Sequence, residues 1–331
     1  MKRPIKRTPA LAAAAVGALL VLSACGGGDI EQSGSDSGAG GDDSQAAECG
    51  DVNMAVNPWV GYQASAYVVG ELAASEFGCT VEYRDLKEEV SWAGFSSGDV
   101  DVVIEDWGHP DLEKQYFAKS GDGSAEDFGP NGNQGVIGWY VPPWLAKEHP
   151  DITDWENLNQ YAEDFATSES GGQGQFLGSD PSYVQFDEAI VKNLDLNFKV
   201  VFSGSEAASI AAFQKAEENK EWLIGYFYEP QWFMSEVPLV KVELPPYDPG
   251  CQEPASAADC DYPVTELKKI VSTEWADSGS PAVEVVKNFE WTNEDQNAVA
   301  AMISSDGMAP EDAAMQWIED NPDKVEGWMP S

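Results

Sequence analysis

Short apolar runs alternate with amphipathic stretches along most of this chain, and that alternation limits its possible folds more than any other feature. Strands that alternate with helices predict an α/β protein with doubly wound, mainly parallel sheets. Strand patterns occupy residues 51–56, 80–86, 99–107, 135–142, 175–180, 198–204, 221–230 and 239–244. Helix patterns occupy residues 61–77, 90–98, 154–165, 181–194 and 205–220. The chain beyond residue 48 is long for one hydrophobic core, which favours two lobes.

The first 24 residues have the pattern of an export signal. Four basic residues precede an apolar run from Ala10 to Leu22, which is shorter than the ~20 residues that span a bilayer. The segment ends in "LSAC", which resembles the processing box of bacterial lipoproteins and implies that Cys25 carries a lipid. An ordinary signal followed by a chance cysteine is the alternative.

Residues 25–48 consist mainly of Gly, Ser, Asp, Gln and Ala, with hardly any large apolar side chain. Such a segment buries too little surface to offset its ordering entropy, so we expect a flexible tether. A lipid, a tether and a globular body together predict a protein that is anchored at the extracellular face of the cell membrane.

Acidic residues greatly outnumber basic ones, with 58 Asp and Glu against 18 Lys and Arg. Loss of the four basic residues of the signal takes the formal charge from −40 to −44. Repulsion by phosphate groups excludes nucleic acid as a partner. The acidity fits a solvated surface, as in a salty habitat, or a field that gathers cations. Salt screens such a field beyond ~8–10 Å, so charge alone does not identify a ligand.

The remaining four cysteines suit an oxidising compartment and allow three pairings. Cys49 and Cys79 precede two predicted strands that would begin side by side, whereas Cys251 and Cys260 bracket one polar loop. We therefore predict the disulfides Cys49–Cys79 and Cys251–Cys260. A zinc site is the competing interpretation, but the spacings do not fit and no histidine lies near either pair. We predict no metal site and no cofactor.

Aromatic residues stand at the ends of four predicted strands. Trp59 follows the first strand and Trp107 ends the third. Trp139 and Tyr140 come late in the fourth, and the run 226–228 comes near the end of the seventh. Ligands of doubly wound sheets bind beyond the carboxyl ends of the strands. We therefore expect these rings to border a ligand.

A cage of aromatic rings suits a quaternary ammonium group, which has no N–H to donate and is held by ring faces. Three or four rings at about 0.5–2 kcal/mol each, together with burial of the methyl groups, reach micromolar affinity. The alternative is that the rings are core residues. We assign seven other tryptophans to the core: Trp92, Trp155, Trp222, Trp275, Trp291, Trp317 and Trp328.

The sequence does not support an enzyme. It contains two histidines, His109 and His149, and it lacks a glycine-rich phosphate loop. Glu105 and Asp106 are candidates for acid–base work. Adjacent residues of a strand point to opposite faces, however, so the two carboxylates cannot converge on one atom. One of them would instead add negative potential near a bound cation.

From about Asp51 to Trp328 the chain resembles the solute-binding proteins of ABC transporters for glycine betaine, choline and related osmolytes. The stretches that carry the resemblance are "NPWVGY", "GDVDVVIEDW", "GWYVP", "SGSEAASIAAF", "YEP" and "PEDAAMQWIEDNPDKVEGW". The resemblance implies a type II periplasmic-binding-protein fold, in which two α/β lobes close around a cleft at a hinge. Lobe 1 would comprise residues 49–138 and 240–331, and lobe 2 residues 139–239.

The resemblance also implies an aromatic cage, in which Trp59, Trp107 and one of Trp139 or Tyr140 fall on cage-like positions. Where the family often has "WxPH", this chain has Tyr228 to Gln231, so a histidine that could contact a carboxylate is replaced by Gln231. The predicted ligand-binding residues are Trp59, Trp107, Trp139, Tyr140, Tyr228, Gln231, Asp106 and Tyr183.

The function implied is that of a monomeric receptor that delivers a quaternary ammonium solute to an ABC permease and its ATPase. Glycine betaine is the first candidate, and Gln231 raises choline, carnitine and proline betaine as alternatives. A receptor for an amino acid would need a basic clamp for the carboxylate, but Arg84 is the only arginine after the signal. A sensor lipoprotein without a transport role is a further alternative.

Overall fold

The computed structural model describes residues 49–330, so the predicted signal, tether and lipidated Cys25 lie outside the described residues. The strands are β1 Asp51–Val56, β2 Thr80–Asp85, β3 Val102–Asp106, β4 Ala125–Val141, β5 Gly174–Gly178, β6 Phe198–Phe202, β7 Gly225–Glu229, β8 Val240–Val242 and β9 Val264–Ser272. The α-helices are α1 Val60–Phe77, α2 Glu88–Ser97, α3 Pro110–Tyr116, α4 Pro143–Glu148, α5 Asp187–Asn193, α6 Glu206–Asn219, α7 Phe233–Glu236, α8 Thr273–Ala276, α9 Pro281–Asn288, α10 Asn293–Ser304, α11 Pro310–Asp320 and α12 Pro322–Glu326. Short 3₁₀ helices span Pro150–Thr153, Trp155–Tyr161 and Ala255–Ala257.

The strands pair in the order β2-β1-β3-β9-β4-β7-β5-β6, and β8 pairs with β4. Strands β2, β1 and β3 run parallel to one another, and so do β7, β5 and β6. The long strands β4 and β9 run antiparallel to their neighbours and connect these two parallel groups. The predicted α/β fold with two lobes is therefore confirmed, and β4 and β9 join the lobes.

Helix α1 places an aromatic residue at the carboxyl end of β1. Its N-cap is Trp59, in extended conformation, and the helix is buried over most of its length, as at Tyr62 and Val69. It ends where Gly78 adopts φ +69° and donates its N–H to the Ala74 carbonyl at 3.0 Å. Glycine enters this left-handed conformation without the strain that a side chain would add. The helix therefore stops at one residue, and β2 follows directly.

Both predicted disulfides are present. Cys49 and Cys79, whose Cα atoms are 4.8 Å apart, join the starts of β1 and β2, and the first residues of these strands pair in parallel register. Cys251 and Cys260, with Cα atoms 6.1 Å apart, close the loop that precedes β9. Cross-links of this kind restrict the unfolded chain and typically contribute ~2–4 kcal/mol to stability.

Two strands differ from the sequence prediction. Strand β4 begins ten residues before the predicted residue 135, because irregular register against β9 accommodates Gly129 and Pro130 within the strand. Strand β9 was not predicted, since two adjacent lysines interrupt its apolar pattern. Lys269 is nevertheless buried, and its Nζ donates to the backbone carbonyls of Lys287 and Phe289 at 2.8 and 2.7 Å.

Two predicted helices also differ. The segment 154–165 forms a 3₁₀ helix over Trp155–Tyr161, in which the Asp154 carboxylate accepts the backbone N–H of Glu156 at 3.0 Å. The predicted helix 181–194 begins only at Asp187. Ahead of it, the Asp180 carboxylate accepts the backbone N–H and the hydroxyl of Ser182 and holds the chain in a turn. Within residues 49–330, no helix has the length and apolar character to cross a bilayer.

Candidate ligand-binding site

A small pocket lies where the carboxyl ends of β1, β3 and β7 meet. It is lined by Trp59, Glu88, Trp107, Ile137, Tyr183, Val184, Tyr226 and Tyr228. Five of these eight side chains are aromatic, and Glu88 is the only one with a formal charge. The lining suits a small guest that prefers ring faces.

Three pairs of neighbouring rings in the pocket stand nearly perpendicular to one another. The rings of Trp59 and Tyr183 have centroids 5.3 Å apart and an interplanar angle of 79°. The corresponding values are 5.6 Å and 83° for Trp107 and Tyr228, and 6.1 Å and 88° for Tyr183 and Tyr228. Edge-to-face contacts of this kind are favourable in themselves. They also give the pocket the walls of a box.

Glu105, at the end of β3, holds both tryptophans of the box. The indole Nε1 atoms of Trp59 and Trp107 each donate to its Oε1 at 2.9 Å. Ser65 Oγ and Gln296 Nε2 donate to its Oε2 at 3.1 and 3.0 Å. Burial raises the pKa of this carboxyl group, whereas the four donors lower it. The indole N–H groups are thus engaged inside the protein, and neither remains for a ligand.

Strand β4 supports the ring of Trp107. A Cβ atom at Gly135 would lie 2.5 Å from Cζ3 of that ring, so only glycine leaves room for the indole. Ile137 lies two residues further along on the same face of β4, and it lines the pocket. A glycine and an aliphatic residue of β4 therefore complete the wall that β3 begins.

Two tyrosines of the box are oriented by backbone carbonyls. Tyr183 Oη donates to the Pro58 carbonyl at 2.8 Å, and Tyr226 Oη donates to the Val184 carbonyl at 3.1 Å. Burial raises the pKa of both phenols well above 10, so they remain protonated donors at neutral pH. Their hydroxyl groups are therefore committed to the protein, and their rings line the pocket.

The third tyrosine is held by Glu206, the first residue of α6. Tyr228 Oη and Gln231 Nε2 both donate to Glu206 Oε1 at 2.5 Å, and the backbone N–H of Val60 donates to Oε2 at 3.0 Å. Burial raises the pKa of Glu206 to about 7, against the effect of these hydrogen bonds. Glu206 thus connects α6 to the first turn of α1.

Glu88, the first residue of α2, is the charged group of the pocket. It is 5 % exposed, and its Oε1 has no hydrogen-bond partner. Its Oε2 lies 3.5 Å from His109 Nε2, and His109 Nδ1 lies 2.7 Å from Asp106 Oδ1. Burial lowers the pKa of His109, but its bonds to Asp106 and Glu88 outweigh this and raise the pKa to about 10. Burial raises the pKa of Glu88, and His109 opposes that rise.

Residues 50–320 match the family model OpuAC, described as the substrate binding domain of ABC-type glycine betaine transport system. The chain belongs to this family. A trimethylamine N-oxide-binding protein of Pelagibacter ubique is 27% identical over 271 residues, which are 80% of this chain and 85% of that protein. The glycine betaine/carnitine transport binding protein GbuC of Listeria monocytogenes is 30% identical over 126 residues, which are 38% of each chain.

Solved structures of the family share the fold. Lactococcal OpuAC, closed on glycine betaine, has a TM-score of 0.66 at 22% identity and covers 85% of this chain and 99% of its own. An ABC-transporter choline binding protein with choline has a TM-score of 0.67 at 19% identity and covers 85% and 91%. Membership of the OpuAC family makes this chain the extracytoplasmic substrate-binding component of an ABC transport system of the glycine betaine type, and not an enzyme.

Four of the predicted site residues line the pocket of this OpuAC-family protein, and four do not. Those at the pocket are Trp59, Trp107, Tyr183 and Tyr228. Gln231 does not line the pocket, and its Nε2 donates to Glu206 Oε1. Asp106 points away from the pocket and accepts hydrogen bonds from Trp92 Nε1 and Gly108 N at 3.2 and 3.0 Å, because strand alternation sends it opposite to Glu105.

Trp139 and Tyr140 also lie outside the pocket, which corrects the prediction that one of them forms a wall. Strand β4 runs antiparallel to β7 in a register that pairs Ile137 with Tyr228 and Trp139 with Tyr226, and the indole N–H of Trp139 donates to Asp187 Oδ1 at 2.8 Å. Trp139 is 1 % exposed, with its ring 4.4 Å from that of Phe176. Tyr140 is turned to the other face of the strand.

Sequence reasoning missed Glu88, Ile137 and Val184 as lining residues, and it placed Tyr226 at the strand end without assigning it to the site. An acidic residue in the first turn of a helix suits the helix dipole, so Glu88 gives no local sign of a pocket. Ile137 and Val184 are apolar residues that sequence alone does not separate from the core. Only the pairing of β4 with β7 brings Ile137 to the site.

Proposed function

We propose that this protein binds a small cation with a quaternary ammonium group in the aromatic pocket and delivers it to an ABC permease driven by an ATPase. The observation that carries the proposal is the set of five aromatic side chains around one pocket, each with its N–H or O–H group bonded to the protein. A quaternary ammonium group has no N–H, so it needs ring faces and no hydrogen-bond acceptor.

The energies are sufficient for a transport receptor. Each ring face contributes about 0.5–2 kcal/mol toward a cation, more where water is excluded. Burial of three methyl groups adds about 0.8 kcal/mol each. Three or four rings with this burial give about 4–10 kcal/mol, a range that includes the ~8 kcal/mol of a Kd near 1 μM. Because Glu105 already holds the two tryptophans in place, ligand binding costs little free energy for ordering their side chains.

We propose that residues 49–138 with 240–331 form one lobe, that residues 139–239 form the other, and that they close over the ligand as a monomer. Two contacts between these segments support closure at the pocket. The N–H of Val60 donates to Glu206, and Tyr183 Oη donates to the carbonyl of Pro58. Both contacts involve residues next to Trp59, so closure and the shape of the box depend on each other.

A calorimetric panel on the purified mature protein tests the proposal. Glycine betaine, choline, carnitine and proline betaine are titrated in parallel with free amino acids. We expect at least one quaternary ammonium compound to bind in the micromolar range, and amino acids to bind far more weakly, because the lining residues include no Lys or Arg for a carboxylate. Tighter binding of an amino acid than of every quaternary ammonium compound would refute the proposal.

We further propose that Cys25 carries a lipid that holds the protein at the extracellular face of the cell membrane. The "LSAC" box and the following tether support this. Cys25→Ser should move the protein from the membrane fraction to the medium and leave ligand affinity unchanged, because the tether lies ahead of the globular body. Retention of this variant in the detergent phase of a partition assay would exclude a lipid at Cys25.

A further inference from the structure

We infer that Glu88 selects a quaternary ammonium ligand that donates a hydrogen bond, such as the hydroxyl group of choline, over one that ends in a carboxylate. The inference rests on the proposed cage for the cation. It adds the kind of polar group that the ligand carries at the end away from the ammonium group. It runs against the choice of glycine betaine as the first candidate. It follows from which polar side-chain atoms of the pocket have hydrogen-bond partners in the protein and which have none.

Every side-chain donor that lines the pocket is already used. Trp59 and Trp107 donate to Glu105, Tyr183 to the Pro58 carbonyl, Tyr226 to the Val184 carbonyl and Tyr228 to Glu206. Gln231, which was predicted from the sequence to bind the ligand, donates its amide N–H to Glu206 as well. A ligand carboxylate needs donors, and none of these eight lining side chains has one to spare.

Among the side chains of the lining, the buried polar atom without a hydrogen-bond partner is an acceptor. Glu88 Oε1 is buried and has no hydrogen-bond partner in the protein, although Glu88 itself lines the pocket. A buried carboxylate oxygen without a partner is unfavourable, and a donor brought by a ligand would satisfy it. A hydroxyl group two carbons from a trimethylammonium nitrogen suits this atom, since the cation can occupy the box while the O–H reaches its wall.

The charges around Glu88 favour the same ligand. Both nitrogens of the His109 ring face carboxylates, with Asp106 at 2.7 Å and Glu88 at 3.5 Å. One imidazolium between two carboxylates leaves this group with a net negative charge beside the pocket. A cation is attracted to it, whereas a ligand carboxylate or the oxygen of an N-oxide is repelled. Lys87, the residue before Glu88, has its Nζ 3.7 Å from Asp180 and does not line the pocket.

The test compares choline with ethyltrimethylammonium, which keeps the cation and lacks only the hydroxyl group. Isothermal titration of the mature protein should show choline binding about 10–100-fold more tightly, the effect of a hydrogen bond to a charged acceptor. Glycine betaine and trimethylamine N-oxide should both bind more weakly than choline. This comparison uses the wild-type protein, so it does not depend on the folding of any variant.

Glu88→Gln removes the charge and keeps the side-chain shape. We expect the preference for choline over ethyltrimethylammonium to fall at least fivefold, and the affinity for glycine betaine to rise relative to choline, because the new amide can donate to a carboxylate. Glu89→Gln is the matched control, since Glu89 is the next residue of α2, carries the same charge and is exposed. It should leave all three affinities within twofold of wild type.

Different failures have different meanings. If choline and ethyltrimethylammonium bind equally well, or glycine betaine binds more tightly than choline, the role of Glu88 is wrong while the cage for the cation stands. If no quaternary ammonium compound binds, both the cage and the inference are wrong. If Glu89→Gln changes the ratio as much as Glu88→Gln does, the effect is one of general charge and the inference is overturned.

Discussion

Two buried carboxylates hold aromatic side chains in the same way, but only one of them stands at the pocket. Glu105 accepts the indole N–H groups of Trp59 and Trp107, both of which line the pocket. Asp187 accepts the N–H of Trp139 and the O–H of Tyr262 at 2.8 Å each, and it does not line the pocket. The chemistry of the bond therefore does not distinguish a cage residue from a core residue. The position of the ring relative to the carboxyl ends of the strands does.

The two carboxylates also differ in how fully they are used. Both oxygens of Glu105 accept hydrogen bonds, from four donors in all. Only Oδ1 of Asp187 accepts, and its Oδ2 has no hydrogen-bond partner. The four bonds to Glu105 fix two rings that belong to different elements, which a pocket of defined shape requires. Asp187 orients residues that packing already confines.

The largest effect should be the contrast between alanine substitution of a core tryptophan and alanine substitution of a pocket tryptophan. Trp139→Ala should lower the free energy of unfolding by about 3–5 kcal/mol, because it leaves a cavity beside Phe176 in the core. The folded fraction should bind a quaternary ammonium ligand with unchanged affinity. Trp107→Ala and Trp59→Ala should cost less stability and weaken binding by about 1–3 kcal/mol, or about 5–150-fold. Urea unfolding and calorimetry measure the two quantities separately.

Trp317→Ala serves as the control for this pair. Trp317 is 4 % exposed in α11 and stacks on Trp328 with centroids 5.7 Å apart, away from the pocket. It should behave as Trp139→Ala does, with lower stability and unchanged affinity. Loss of affinity in Trp139→Ala equal to that in Trp107→Ala would mean that the pocket extends to Trp139 and that the comparison is wrong.

The second-largest effect should come from replacing the two buried carboxylates, Glu105 and Asp187, by amides. Glu105→Gln places an amide NH₂ group against two donors, so it should lower the free energy of unfolding by about 1.5–3 kcal/mol and weaken ligand binding as the tryptophans lose their anchor. In Asp187→Asn, Oδ1 still accepts both bonds and the amide replaces the oxygen without a partner. Its stability at pH 7.5 should change by less than about 1 kcal/mol, with affinity unchanged.

The reverse order of these two effects would contradict the account. If Asp187→Asn lowers affinity and Glu105→Gln does not, the ring held by Asp187 is the one that contacts the ligand. Thermal unfolding in the absence of ligand separates a direct loss of affinity from a loss of folded protein. Both variants keep the size of the side chain, so neither creates a cavity.

The sequence predicted the part of the site that depends on local position. Trp59 and Trp107 each follow a parallel strand, and a residue just past such a strand lies at its carboxyl edge wherever the rest of the chain goes. Trp139 was placed by the same reasoning, but it lies in a long antiparallel strand. Its depth depends on register with Tyr226, which is far away in sequence.

The rest of the fold was hidden for similar reasons. Strand β9 contains Lys269, whose burial depends on backbone carbonyls that only the folded chain supplies. Glu88 has the local features of an ordinary residue at a helix start, and its role depends on which groups surround it in space. Long-range register and the partners of buried polar atoms are properties of the assembled lobes, and no short stretch of sequence carries them.

The smallest effect is on pH dependence. Burial raises the pKa of Asp187 to about 6, above its usual value near 4. The folded protein therefore binds this proton more tightly than the unfolded chain, so the contribution is favourable at low pH and is lost as pH rises through about 6. Relative to Asp187→Asn, the wild type should lose about 1 kcal/mol of stability between pH 5 and pH 7.5. Equal slopes in urea unfolding at both pH values would contradict this.

The central claim is that the rings around the pocket bind positive charge and not only an apolar surface. Choline and 3,3-dimethylbutan-1-ol have the same shape and the same hydroxyl group, and differ in that a quaternary carbon replaces the charged nitrogen. Titration of both into the mature protein is the direct test. We predict that choline binds at least about tenfold more tightly, and that Trp59→Ala and Trp107→Ala reduce this preference. Equal affinity for the neutral alcohol would show that the pocket recognises shape and apolar surface alone, and the proposed cage for a cation would be wrong.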